Sequence, residues 1–347
     1  MAGGESVESG SVENRSGVGV EREVSGGYAG ARKSKGRGAA ASIAEGRGRV
    51  AEFNKGETVE GYRVLDLLGR GAASVVYLVQ DQKTKQVWAL KHVERREEDK
   101  DARFLDQAEQ EYKVGSKLDH KNVRHIERMA KKTRRLIQVT DVFLVMEFLD
   151  GKSLDTHPPK TFVHATDIFH QAALGLAHMH ERGFIHADMK PNNIVVEPDG
   201  VVKLIDLGQS CEAGTVKPRI QGTPDYIAPE QVHRRPITPK TDIYNLGATM
   251  YAICTGQNVP TALAKGDKLV GSLDDNLIEK PRAAIELNPK INSKLNELIM
   301  QCVEVNPDKR PANMHMLADR LNLIHALLIA ENNRKTGEFR PLDSQPD

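Results

Sequence analysis

Apolar positions change their period near residue 150. Before it, β-branched and aromatic residues cluster in short runs, Tyr62–Leu68, Val75–Gln80, Val87–Val93 and Val142–Phe148, with Gly69-Arg70-Gly71-Ala72-Ala73-Ser74 between the first two and polar Asp81–Gln86 between the next two. Runs of that length bounded by turn residues predict the strands of a small antiparallel sheet. Phe104, Ala108, Gly115 and Leu118 recur at helical spacing and predict one helix packed on that sheet. Asp150-Gly151-Lys152-Ser153 breaks the pattern and predicts a hinge. Beyond it the period becomes helical: Phe162–His180 (with Ile168, Ala172, Leu176 and Met179), Thr241–Thr255, Ile291–Val303 and Met314–Ala330 predict amphipathic helices. The two ends differ from both halves. From Met1 to about Lys55 there is almost nothing large and apolar to offset the entropy of ordering, and from Glu331 the chain is polar again. The expected organisation is therefore a disordered tail over 1–58, a sheet-rich lobe over 59–149, a helical lobe over 150–330 and a loose tail over 331–347. No internal repeat is visible.

A length of 347 residues accommodates two such lobes. The net charge of +1 removes any global argument for nucleic acid or an anionic membrane, and the basic stretch Arg32, Lys33, Lys35, Arg37 is interspersed with glutamate as a solvated tail would be. Cys211, Cys254 and Cys302 are too few and too scattered for a disulfide framework or a paired-cysteine zinc site, so a reducing, cytoplasmic setting is expected. The most apolar late stretch, Leu321–Ala330, is interrupted by Asn322 and His325 and is shorter than the ~20 residues of a membrane span. The first residues lack the apolar core of a secretory signal.

The glycine turn acquires meaning from its flanks. A dinucleotide-binding loop leads from strand to helix, whereas here Val75-Val76-Tyr77-Leu78-Val79 continues as a strand, making a hairpin suited to cover phosphates. Trp88-Ala89-Leu90-Lys91 ends a strand in a cation, with Glu111 a candidate partner ahead of Leu118-Asp119-His120-Lys121-Asn122 and Glu109 the weaker choice. His186-Ala187-Asp188-Met189-Lys190-Pro191-Asn192-Asn193 supplies what phosphoryl transfer needs: a carboxylate beside the attacking hydroxyl, a cation and an oxygen ligand for a metal. Leu204-Ile205-Asp206-Leu207-Gly208, Gly222-Thr223-Pro224-Asp225-Tyr226-Ile227-Ala228-Pro229-Glu230, Asp242 in Thr241-Asp242-Ile243-Tyr244, and Arg310 in Asn306-Pro307-Asp308-Lys309-Arg310-Pro311 follow in order.

Taken together, residues 62 to about 328 resemble the eukaryotic-type serine/threonine protein kinases, and the short insertions are similar to those of bacterial members. The resemblance implies an α+β, bilobal protein-kinase-like fold: a small N-lobe of antiparallel sheet plus helix C, and a larger, mostly helical C-lobe. It implies ATP and Mg2+ as cofactors and a protein substrate bearing a serine or threonine hydroxyl, and it leaves room for a transient dimer. Leu68, Gly69, Gly71 and Ser74 would form the phosphate lid. Val76, Ala89 and Val195 would sandwich the adenine ring, with Met146, Glu147 and Phe148 lining the back and edge of its pocket. Lys91, paired with Glu111, would hold the α and β phosphates. Asp188 and Lys190 would be catalytic, and Asn193 and Asp206 the magnesium ligands, oxygen donors that suit a hard cation. Leu207, Gly208, Thr223, Ala228, Pro229 and Glu230 would belong to the activation segment, with Thr223 bonded to Asp188 and Lys190. Glu230 would pair with Arg310, and Asp242 would orient the catalytic loop. Lys190 and Gly222-Thr223-Pro224 resemble serine/threonine rather than tyrosine kinases.

Three positions depart from the pattern. Ala187 stands where an arginine usually precedes the catalytic aspartate, which implies a non-RD enzyme whose activity does not depend on phosphorylation of its activation loop at Ser210 or Thr215. Gly115 lies one turn after Glu111 where relatives carry a large apolar residue, so helix C is expected to be loosely held against Leu207 and Gly115→Leu to raise basal activity or stability. Ser74 replaces a third glycine of the lid. Cys211 is expected to be an inert thiol, and Lys131-Lys132-Thr133-Arg134-Arg135 a solvated loop between strands. Two other readings remain: a pseudokinase scaffold, against which the intact Lys91, Glu111, Asp188, Asn193 and Asp206 argue, and a small-molecule kinase of the aminoglycoside-phosphotransferase type, whose members generally lack an Ala-Pro-Glu segment.

Overall fold

The computed structural model describes residues 52–71, 73–95, 102–135, 138–260 and 278–336. The first half forms the expected antiparallel sheet. Strands β1 (Thr58–Val59), β2 (Tyr62–Arg70), β3 (Ser74–Asp81), β4 (Val87–Glu94), β5 (Ile126–Arg134) and β6 (Gln138–Glu147) lie in the order β1-β2-β3-β4-β6-β5. Alternation along β2 and β3 sends Tyr62, Val64, Val75, Tyr77 and Val79 to one face, where they pack with Leu90, Phe143 and Val145. The other face carries Val76, Ala89, Val93, Leu144 and Met146, which meet helix α1 (Ala102–Gly115) through Leu105, Ala108 and Val114.

After residue 150 the chain is mainly helical. α2 (Phe162–Glu181) forms the centre of the lobe and packs along α7 (Met314–Thr336); α3 (Pro229–Val232), α4 (Pro239–Thr255), α5 (Ala284–Leu287) and α6 (Ser293–Cys302) complete it. Thr161 caps α2 by accepting from His164 N–H, and Thr238 caps α4 in a capping box with Thr241. Short strands sit on the face toward the sheet: β7 (Lys152–Ser153), β9 (Ile194–Val196) and β10 (Val202–Leu204) form one ribbon, and β8 (Phe184–Ile185) pairs with β11 (Cys211–Glu212). The expected hinge is pinned to this ribbon, because Asp150 N–H and Gly151 N–H donate to the Glu197 carboxylate at 3.2 Å each. Gly151 is required there: a Cβ would lie 2.4 Å from the Val196 carbonyl oxygen.

Several expectations are corrected. The tail assigned to 1–58 ends earlier: Phe53 stacks among Tyr77, His92 and Phe143 at centroid distances of 5.6, 5.2 and 6.3 Å, and Glu52 pairs with Arg70 at 2.8 Å. One aromatic anchored in a pocket of the sheet orders a segment whose composition is otherwise that of a tail. At the other end α7 continues to Thr336 instead of stopping at Ala330, and Glu331 is tied to Asn292 at 3.3 Å. The rest of both expected tails, with Ala72 of the lid, lies outside the described residues. The basic run Lys131–Arg135 is strand rather than loop through Arg134, in register with β6 from Lys131↔Val142 to Arg134↔Gln138. β5 is an outer strand of the sheet, where charged side chains guard an open edge and erase the alternation that marks half-buried strands.

Gly115 is also corrected. Its missing side chain leaves no gap, because Ile126 of β5 fills the space: a Cβ at 115 would lie 2.4 Å from Ile126 Cδ1 and 3.3 Å from its Cβ. Helix α1 is therefore held closely against β5 by a small residue facing a large one.

Candidate active site

A cleft between the sheet and the helical half collects most of the residues singled out from the sequence. Its wall includes Gly69, Gly71, Ser74, Val76, Lys91, Glu111, Met146, Asp188, Lys190, Asn193, Val195, Asp206 and Gly208. Leu68, Ala89, Glu147 and Phe148, expected there, are not among its lining residues; the Glu147 side chain is occupied by Lys203 at 2.6 Å and by His125 N–H at 3.1 Å. At the cleft mouth the lid turns tightly, with Gly71 N–H donating to the Ser74 carbonyl at 2.7 Å and a Cβ at Gly71 falling 2.7 Å from Ser74 Oγ. The serine thus packs the space that Gly71 leaves.

Lys91 reaches from β4 to the Glu111 carboxylate on α1, Nζ to Oε2 at 2.6 Å. Glu109 points the other way and pairs with Lys131 at 2.7 Å. The lysine ammonium is thereby fixed over the cleft by a largely buried carboxylate.

Across the cleft, residues 186–193 form a loop organised by Asp242 of α4. Its Oδ2 accepts from His186 N–H at 2.9 Å and faces His180 Nε2 at 2.8 Å, while Oδ1 accepts from Ala187 N–H at 2.8 Å. Burial opposes ionisation of Asp242, but these donors and the nearby imidazoles outweigh it and hold the carboxyl below its ordinary range. The loop needs this bracing because Ala187 has φ +63°, a left-handed conformation costing a non-glycine residue roughly 1–2 kcal/mol. Gln231 Nε2 donates to the Ala187 carbonyl at 2.8 Å from the other side.

Asp188 faces the cleft within a closed set of bonds. Lys190 Nζ donates to its Oδ2 at 2.9 Å, and Thr223 donates to Oδ1 through both N–H and Oγ1, each at 2.9 Å. Lys190 Nζ also donates to Thr223 Oγ1 at 2.9 Å, so the threonine hydroxyl bonds both residues as expected. Asn193 Nδ2 donates to the Asp188 carbonyl at 2.8 Å, leaving Oδ1 as the atom it can offer a ligand.

Asp206 stands next to this loop, which bonds Ile205 through His186 and Asn193, and has φ +63°. Desolvation would raise its pKa, yet Lys91, Lys190, His186 and the Gly208 N–H prevail and the carboxyl is lowered from its ordinary value. A lowered carboxylate and a free amide oxygen on adjoining segments, where Ile205 N–H donates to the Asn193 carbonyl at 3.0 Å, form a hard-oxygen donor set that fits Mg2+ held jointly with phosphates, since this ion prefers one or two protein oxygens over a full protein cage.

Ahead of α3 the segment is locked in place. Glu230 and Arg310 form a buried two-pronged pair at 2.7 and 3.0 Å, and Thr241 Oγ1 donates to Glu230 Oε1 at 2.9 Å. Leu207 is buried in the main apolar cluster beside α1. Where an arginine at 187 would extend there is an apolar cluster of Ile185, Ala187, Cys211 and Ile237, and burial raises the Cys211 thiol above its usual pKa. The cation of this region comes instead from Lys217, only 8% exposed, whose Nζ donates to the Gln209 carbonyl. Sequence reasoning missed Lys217, His180, Gln231 and Arg124; the last three act through contacts with distant parts of the chain, and Lys217 reaches back eight residues to Gln209.

The comparisons with known proteins agree with this architecture. The protein kinase domain family matches residues 62–321, and the chain belongs to it. A probable serine/threonine-protein kinase of Clostridium acetobutylicum is 25% identical over 304 residues, covering 82% of this chain and 43% of its own length. The serine/threonine-protein kinase PrkC of Bacillus subtilis is 27% identical over 265 residues, covering 74% of this chain and 39% of PrkC. PknA of Corynebacterium glutamicum is 28% identical, covering 72% and 53%. The chain thus spans about half or less of the length of these relatives. Among solved structures, the kinase domain of Mycobacterium tuberculosis PknI superposes with a TM-score of 0.58 at 22% identity, over 78% of this chain and 99% of that domain, a match of fold. Among the described residues no helix is long and apolar enough to cross a membrane.

Proposed function

We propose that the chain transfers the γ-phosphate of ATP to serine or threonine hydroxyls of proteins, with Mg2+, and does so without phosphorylation of its activation segment. The observation that supports this most is the joining of Asp188, Lys190 and Thr223 into one bonded unit in the cleft that Lys91 and Asp206 also line.

In this reading Asp188 Oδ accepts the proton of the attacking hydroxyl and aligns it, and Lys190 Nζ neutralises charge gathering on the transferred group. Lys91, braced by Glu111, holds the α and β phosphates; the lid from Gly69 to Ser74 covers them and limits water. Asp206 and Asn193 Oδ1 would hold Mg2+, which when bound neutralises the phosphate oxygens. Asp242 fixes the His186 and Ala187 backbone just ahead of Asp188.

Independence from activation-segment phosphorylation follows from the surroundings of Ala187. No cation at 187 awaits a phosphate, Lys217 already ties the segment to Gln209, and Ser210 is buried with Oγ donating to the His186 carbonyl at 3.4 Å. Gly115 lends nothing to the scaffold reading, since Ile126 fills the space there.

The test is incubation with Mg2+ and γ-labelled ATP, on a generic basic protein and on a panel of small hydroxyl compounds. Phosphoserine or phosphothreonine on the protein, undiminished in Ser210→Ala and Thr215→Ala, is expected. Transfer confined to small compounds, or loss of protein phosphorylation in either variant, would contradict the proposal.

A further inference from the structure

The back of the cleft holds a charge that none of the roles above uses. Arg124 lies just before β5, with its N–H donating to the Leu204 carbonyl at 2.9 Å, and its side chain turns inward to line the cleft beside Met146. The residue is 7% exposed. Its guanidinium makes one hydrogen bond, Nε to the Glu147 carbonyl at 2.9 Å, and among the described residues it has no carboxylate partner. A guanidinium carries five N–H donors, no acceptor, and a charge that persists at all working pH. Its terminal nitrogens have no protein acceptor among the described residues and are not sealed from solvent, so they are open to acceptors that enter the cleft.

The neighbouring walls define what can reach it. Val76 of β3 and Val195 of β9 face each other across the slot, the shape for a flat ring, and the phosphate-directed groups Lys91 and Asp206 lie along the same cleft. A purine in that slot brings one edge to Arg124 and the Glu147 carbonyl. Guanine presents two acceptors, O6 and N7, in the spacing that a guanidinium binds with both prongs. Adenine presents N7 beside an N6 amine, a donor set against donors, and the Glu147 carbonyl, which already accepts from Nε, keeps one lone pair for that amine.

We propose that Arg124 is a base-selecting residue that admits GTP alongside ATP as the phosphoryl donor. The inference rests on the phosphotransfer reading of the cleft. It differs from that reading in naming the edge of the base and the side chain that reads it.

The test measures binding of Mg-ATP, Mg-GTP and Mg-ITP by competition against a fluorescent purine nucleotide, on the full chain and on Arg124→Val, with Arg124→Met as a second variant that keeps an unbranched stem in place. Inosine retains O6 and N7 without the guanine amine. On the full chain GTP and ITP are expected to bind within about tenfold of ATP, and replacing the arginine to shift the GTP-to-ATP affinity ratio toward ATP on the order of tenfold, with ITP following GTP. A ratio unchanged within about twofold in both variants would overturn the assignment, as would GTP failing to bind the full chain that binds ATP. Equal tightening of all three nucleotides would also overturn it, by showing that Arg124 merely blocks the slot. Failure of every nucleotide to bind the full chain would instead remove the phosphotransfer reading, and this assignment with it.

Discussion

Gly115→Ala adds one carbon to the face of α1 that meets β5, and its effect can be worked from three distances. The new Cβ would stand 2.4, 2.8 and 3.3 Å from Cδ1, Cγ1 and Cβ of Ile126. Carbon atoms are comfortable at roughly 3.5–4.0 Å, and the two shortest contacts are to the γ and δ carbons of a β-branched side chain that is stiff at χ1, so they are cleared only at a cost. Overpacking of this kind costs about 1–3 kcal/mol, set against a gain of at most about 1 kcal/mol in helix propensity at the end of α1. A net loss of about 1 kcal/mol is expected, and a larger one for Gly115→Leu. Because Glu111 lies one turn earlier, a displaced α1 also lengthens the 2.6 Å contact with Lys91, and phosphotransfer should fall with stability. Urea denaturation and initial-rate kinetics on Gly115→Ala, Ile126→Ala and the double variant form the assay. With Ile126 cut back to its Cβ, Gly115→Ala should become neutral or stabilising, a coupling of roughly 1–3 kcal/mol. Stabilisation by Gly115→Leu in the otherwise unaltered chain, or additivity in the cycle, would refute the close contact.

Removing Arg310 leaves the Glu230 carboxylate buried without its cation, so Arg310→Ala should cost about 3–5 kcal/mol by denaturation, with the Glu230→Gln, Arg310→Met double variant less affected. Ala187→Arg would put a cation into the Ile185, Cys211 and Ile237 cluster near Lys217, and should destabilise the chain by about 3 kcal/mol or more without creating a requirement for phosphorylation. Burial lowers the His92 pKa despite Asp141 at 2.7 Å. Its stabilising contribution is therefore complete above the unfolded value of 6.5 and is lost as pH falls through the lowered folded value; His92→Gln should flatten that part of the stability profile, measured by thermal denaturation from pH 7 downward.

Asp188, Lys190, Asn193 and Asp206 were legible in the sequence because their spacing lies within short motifs, and the backbone of one loop or one turn places them. The residues that hold those motifs in position were not. His180 reaches Asp242 across 62 residues and Gln231 reaches Ala187 across 44, pairings that only the packed lobe creates. Gly115 was misjudged for a related reason: the bulk missing from α1 is supplied by Ile126, on a strand whose register the local pattern does not reveal. Phe53 shows the limit of composition, since a single ring among small and polar neighbours leaves a tail-like average while its contacts with Tyr77, His92 and Phe143 order the segment. Arg124 lies in no motif that the sequence singled out, and its burial came from the fold alone.

The central claim is that Asp188 acts on the attacking hydroxyl while Asp206 serves the metal and its phosphates, and paired binding and turnover measurements on Asp188→Asn and Asp206→Ala test it most directly. Asp188→Asn should keep Mg-nucleotide affinity within a few-fold and lower kcat on a protein substrate by a factor on the order of 100 or more, whereas Asp206→Ala should lose both turnover and the Mg2+ dependence of nucleotide binding. Turnover that survives either substitution within a few-fold would contradict the assignment of the cleft.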